Sequence, residues 1–236
     1  IAATGDIHSP RFFDTFVKSV EDLRAKPDLF LLVGDVVHRG KVEEYQKVYN
    51  VFFGKITCPI TACFGNDEFG PESRMIIENQ IPEIKFLDDE SLIFEVQGKS
   101  VGIVGSIGSL DRPTFWQRNN IPDIADIYKK RIETVEKLLS ELKTDVKILL
   151  IHYAPTYKIL EGEEPRIYPE LGCNDYEIIL VEQKPDLVIT GHSHNGKKQA
   201  WVDTVPIVNV AFPLNKEIVV IDTEKDLKPG LEKFLE

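Results

Sequence analysis

Seven residues able to bind metal lie in five separate stretches of the 236-residue chain: Asp6 and His8, Asp35, Asn66, His152, and His192 with His194. Each stretch follows an apolar run of strand length, at residues 1–4, 29–33, 60–64, 146–151 and 187–190. Imidazole and carboxylate together suit borderline divalent metals such as manganese, iron, zinc or nickel. Seven ligands are too many for one tetrahedral ion and too few for two closed six-coordinate ions. With one carboxylate shared, they match two ions with positions left open for water and substrate. The chain has five histidines, and all lie in these segments, the fifth being His38. A glycine precedes Asp6, Asp35, Asn66 and His192, where it is expected to let the backbone turn off the strand and approach the metals.

The short β-rich runs alternate with amphipathic stretches at 12–25, 42–53, 124–142 and 175–183, which predicts a layered α/β domain. Ligands of an open α/β sheet bind beyond the carboxyl ends of its strands, so the five segments are expected to converge at one sheet edge. Two Lys-Pro-Asp turns, at 26–28 and 184–186, stop helices before the next strand. Runs at 92–97 and 100–105 around Gly98 predict a hairpin. Runs at 198–202, 207–210 and 217–221 predict an antiparallel meander, and together these features call for a second sheet. Residues 110–121 and 154–172 read as long loops, which in compact domains are often functional. The acidic residues Glu161, Glu163 and Glu164 of the second loop are expected to face solvent, a cationic part of the substrate or a partner subunit. No repeat or linker divides the chain, so one domain over 1–236 is expected.

Hydrophobic residues at 42% and charged residues at 28% describe an ordinary globular protein. The net charge of −11, with no basic stripe, argues against duplex nucleic acid as a partner. No apolar run approaches the roughly 20 residues that span a bilayer, and nothing resembles a signal peptide. Cys58, Cys63 and Cys173 form no CxxC pair, which speaks against a disulfide framework and for a reducing, cytoplasmic setting.

The set Asp6-x-His8, Gly34-Asp35-(x)4-Gly40, Gly65-Asn66, His152 and Gly191-His192-x-His194 resembles the signature of calcineurin-like metallophosphoesterases, in family order. The resemblance implies an α/β four-layer αββα sandwich with two mixed β-sheets. It further implies that one ion takes Asp6, His8, Asp35 and His194, and the other Asp35, Asn66, His152 and His192, with Asp35 bridging. Such a centre carries two divalent ions, manganese foremost, and hydrolyses a phosphomonoester or phosphodiester by attack of a metal-bridging hydroxide. A small phosphorylated molecule, such as a nucleotide, is then the expected partner. A non-catalytic scaffold of the same fold and a nuclease are the competing readings; complete ligand positions oppose the first, and the acidic charge opposes the second.

Within the resemblance, residues 34–40 look most like the phosphoprotein-phosphatase form of the motif, in which Arg39 contacts the substrate phosphate. Many relatives carry His after the metal-binding Asn, where this chain has Asp67. In the phosphatases that His pairs with an Asp at the position of His38, so the pair is expected here in exchanged form. His38 would donate the leaving-group proton, with Asp67 orienting it and raising its pKa. Phe115, Trp116, Tyr153, Tyr157 and Tyr168 lie in or beside the long loops, able to stack on a base or to pack against the core.

Overall fold

The computed structural model describes residues 1–223 and 225–226. Strands β1 (Ala2–Thr4), β2 (Phe30–Val33), β3 (Ile60–Cys63) and β4 (Ile84–Leu87) run parallel in one sheet. The second sheet holds β5 (Glu90–Val96), β6 (Lys99–Ser106), β7 (Val146–Ile151), β8 (Leu187–Thr190), β9 (Gln199–Val202) and β10 (Val205–Asn209), in the order β5-β6-β7-β8-β10-β9. Its middle strands β6, β7, β8 and β10 are parallel, and β5 and β9 are antiparallel edges. The last strand, β11 (Val219–Val220), crosses to the first sheet and pairs antiparallel with β1. The antiparallel meander expected over 198–221 is therefore a two-strand hairpin followed by a crossover.

The two sheets pack face to face, and alternation along each strand assigns its residues to two cores. Leu31, Val33, Ile148, Leu150, Leu187 and Ile189 meet between the sheets. The opposite faces, with Phe30 and Leu32 on β2 and Leu149 and Ile151 on β7, pack against helices. Helices α1 (Phe13–Asp22), α2 (Glu43–Val51) and α3 (Pro71–Gln80) cover the first sheet through Phe16, Tyr45, Val48 and Ile77. After the short α4 (Phe115–Asn120), α5 (Ile124–Glu141) and α6 (Tyr176–Gln183) cover the second through Val135, Leu139, Tyr176 and Leu180. This is the four-layer αββα arrangement with two mixed sheets. A brief α7 (Phe212–Asn215) follows β10.

Several boundaries differ from the sequence expectation. The first helix ends at Asp22, where Leu23 turns extended, well before Pro27. Helix α3 and strand β4 carried no periodic signal, because α3 has a single fully buried side chain, Ile77. The loop at 110–121 contains α4, held by a reciprocal capping box between Thr114 and Gln117. The loop at 154–172 contains two 3-10 turns, Tyr157–Ile159 and Pro165–Glu170. Among the described residues no helix is long and apolar enough to cross a membrane.

Candidate metal centre

The parallel strands β1, β2 and β3 of one sheet and β7 and β8 of the other end at the same edge of the sandwich. The convergence is thus between two sheets rather than along one. The backbone beyond β1 and β2 stays zipped: the amides of Asp6, His8 and Ser9 donate to the carbonyls of Gly34, Asp35 and Val36, each at 2.9 Å. Across the sheets, His152 Nδ1–H donates to the carbonyl of Val33 at 2.9 Å.

Two groups of side chains result. Asp6, Asp35, His152 and His192 form one, and Asp6, His8 and His194 form the other, with donor atoms within 4.8 Å of one another in each. Asn66 joins the first, its Oδ1 lying 3.3 Å from His152 Nε2. The two oxygens of Asp35 divide between the groups. Oδ1 lies 3.6 Å from His152 Nε2, and Oδ2 lies 3.9 Å from His8 Nε2. Asp6 also reaches both sides, through His194 Nε2 at 3.1 Å and the backbone amide of His192, which donates to both its oxygens. All seven candidate ligands are thereby brought together.

The donor set suits divalent cations on its own chemistry. Asp6 and Asp35 are buried with no Lys or Arg ion-paired to them among the described residues, and His8 Nε2 faces His194 Nε2 at 3.4 Å. Burial, then the neighbouring charges of Glu68, Asp6 and Asp67, push the Asp35 carboxyl well above the usual range. Burial pushes His192 down to about 3, so its imidazole is neutral and able to ligate. The hydrogen bond from His152 Nδ1 to Val33 leaves its Nε2 lone pair pointing inward, and Asp67 does the same for His8, accepting from Nδ1 at 3.0 Å.

The glycines serve these carboxylates more directly than the sequence suggested. A Cβ on Gly65 would land on the Asp35 carboxylate and backbone amide, and one on Gly191 on the Asp6 carboxylate. Backbone strain collects here too: Asp6, His8, Asp35, Arg39 and His192 all have positive φ, between 45° and 66°.

The structure alters the expectation for His38 and Asp67. Asp67 lies closer to His8 (3.0 Å) than to His38 Nδ1 (3.5 Å), and that nitrogen is buried without a hydrogen-bond partner. Burial outweighs the carboxylate, so the His38 pKa is lowered, not raised. Arg39 is exposed and lines a cavity of about 440 Å³ together with Asn66, Asp67 and His192.

Two acids have structural roles that sequence reasoning did not assign. Glu68 is fully buried, and its carboxylate accepts from the amides of Asp35, Val37 and Gly65 at 2.9, 3.1 and 2.8 Å, pinning the Asp35 and Asn66 loops together. Its only signal was an acid adjoining the motif. Glu163 accepts from Ser193 Oγ, Asn195 N and Asn195 Nδ2 at 3.1, 2.8 and 3.0 Å, fastening the loop of His192 and His194. Glu161 and Glu164 are exposed, as expected, and pair at the surface with Lys197 and Arg166, so only Glu163 turns inward. Of the loop aromatics, Trp116 lines the cavity beside the site, Tyr157 and Tyr168 pack on each other at 5.6 Å, and Phe115 points outward.

The sequence profile of the family described as "Calcineurin-like phosphoesterase" matches residues 1–196. A protein named "Probable glycerophosphodiester phosphodiesterase GpdQ" from Arcobacter nitrofigilis is 20% identical over 225 residues, covering 94% of this chain and 75% of its own length. The crystal structure of TT1561 of Thermus thermophilus superposes with a TM-score of 0.59 at 16% identity, over 94% of this chain and 97% of that one. The motif order, the two-sheet sandwich and the profile agree, and the chain belongs to the calcineurin-like phosphoesterases.

Proposed function

We propose that this metal-dependent phosphoesterase hydrolyses small phosphodiesters at the centre built from Asp6, His8, Asp35, Asn66, His152, His192 and His194. The observation that carries the reading is Asp35, whose two oxygens face separate groups of ligands 3.6 and 3.9 Å away. Two divalent ions held there supply an activated water and positive charge against the phosphate. The diester preference is supported by two cavities that meet at Asn66, giving room for a substituent on each side of the phosphate. The name of the Arcobacter relative supports it as well.

The chain's own residues hold and orient. Arg39, exposed at the cavity rim, donates to phosphate oxygens, for which a planar guanidinium is matched. Asp67 and the Val33 carbonyl fix the tautomers of His8 and His152. Glu68 keeps the loops of Asp35 and Asn66 in register. His38 stands beside Asp67 as a neutral imidazole near pH 7.

The test is a screen of bis-p-nitrophenyl phosphate, p-nitrophenyl phosphate and cyclic nucleotides against protein loaded with manganese, nickel or zinc, with metal content measured alongside. Hydrolysis of the diester well above the monoester is expected. Two bound equivalents of metal with no turnover of any ester would overturn the proposal.

A further inference from the structure

Beside the proposed centre lies a chamber of about 650 Å³, walled by α3, α4 and the start of α5. It meets the smaller cavity of Arg39 and His192 along Asn66, Phe69 and Trp116, the last two with rings 5.9 Å apart. Its size is that of a site for a small organic molecule.

The walls are mainly apolar, with Asn66, Gln117 and Asn120 among them, and the two arginines are ion-paired. Arg74 is ion-paired with Asp88 and lies over the Phe64 ring at 5.1 Å. Arg131 donates from Nε to both oxygens of Asp89, at 3.2 and 2.9 Å, and from Nη1 to the Gly108 carbonyl at 3.0 Å. Both guanidinium charges are thus already countered by a carboxylate of this chain. The chamber's other acid, Glu78, would repel a second phosphate.

Large apolar side chains that a folded chain ordinarily covers stand open at this place. Phe69, Met75, Trp116 and Ile127 line the chamber while 45%, 56%, 52% and 39% exposed. The α4 backbone that carries Trp116 is anchored by the capping box and by the neighbouring Gln117, which is buried and donates to the Tyr153 hydroxyl at 3.1 Å. Contiguous exposed apolar surface beside a polar site marks a place where a ligand buries its own apolar surface.

We propose that this chamber receives one ester arm of the substrate, and that the arm is an uncharged apolar group, a planar ring or an alkyl chain, rather than glycerol, a sugar or a second phosphate. The inference rests on the phosphodiesterase reading above and narrows its substrate class.

The test keeps p-nitrophenolate as leaving group and varies the second ester arm: methyl, phenyl, octyl or glyceryl. Apolar arms are expected to raise kcat/KM at least about tenfold over methyl, mainly through KM. Phenyl ahead of octyl identifies a ring, octyl ahead identifies a lipid-like chain, and glyceryl ahead of both would overturn the apolar arm. Ile127→Asp, which places a charge at the chamber mouth, should erase the preference. Ile178→Asp, on an exposed face of α6, should keep it. Equal kcat/KM for all arms would overturn the chamber proposal while leaving the phosphodiesterase standing. If no ester turns over, the phosphodiesterase reading fails, and calorimetry of phenylphosphonate against methylphosphonate decides the chamber. Tighter phenylphosphonate binding that Ile127→Asp removes would support an apolar site, and equal binding would discard it.

Discussion

Asp35 turns one oxygen towards His152 and the other towards His8, while Asp6 belongs to both ligand groups, and burial raises the Asp35 pKa well above the usual range. Asp35→Asn is expected to remove one or both ions and to lower turnover by several orders of magnitude, as read by metal analysis and diester hydrolysis. Asp67 acts through His8 instead. Asp67→Ala should weaken metal affinity about 10–100-fold, measured by competition with a chelating dye. For His38, burial keeps the imidazole neutral, so His38→Ala should reduce turnover to a similar degree on good and poor leaving groups. A selective loss of about 10²–10⁴-fold on the poor one would restore His38 as the general acid. His192 carries a pH signature in the metal-free protein. Its folded pKa of about 3 lies below the ordinary 6.5, so the unfolded chain binds a proton that the folded site refuses between those values. Stability should therefore fall as pH drops through that window, and His192→Asn should flatten this part of the profile of Tm against pH.

At the scale of elements, the ligand loops are held by acids lying outside the ligand set. Glu163 is the clearest case, because it accepts from the neighbouring loop three hydrogen bonds, one from the Asn195 amide and two from the Ser193 and Asn195 side chains. Glu163→Gln keeps the shape but weakens these contacts, since hydrogen bonds to a charged acceptor are the stronger kind. The expected result is weaker metal retention with an unchanged fold, checked by metal titration beside circular dichroism. Unaltered metal binding would return this loop to a role in substrate choice alone.

Across the whole molecule, the face-to-face packing of the sheets is what brings β1, β2 and β3 of one sheet opposite β7 and β8 of the other. Leu150 is fully buried in the layer between them. Leu150→Ala should cost about 2–5 kcal/mol in urea unfolding, as large-to-small changes in a packed core do.

The amino-acid sequence by itself determined the ligands and their attachment to strand ends, because those signals are local. Asp6, Asp35, Asn66, His152 and His192 each follow an apolar run within a residue or two, and short apolar β-rich runs report buried strands wherever they lie. The hairpin around Gly98 was legible for the same reason. Tertiary structure decided what depends on distant partners. Val219–Val220 carries the same β signal whichever sheet it joins, and only its pairing with β1 selects the first sheet. Helix α3 buries too few residues to show a period, yet it walls the chamber beside Asn66. Glu68 and Glu163 look like surface acids in sequence, and become structural only because backbone amides from elsewhere turn towards them. The fate of Asp67 was also decided in three dimensions. Sequence offered His38 as its partner, and the fold set His8, 59 positions away, half an ångström nearer.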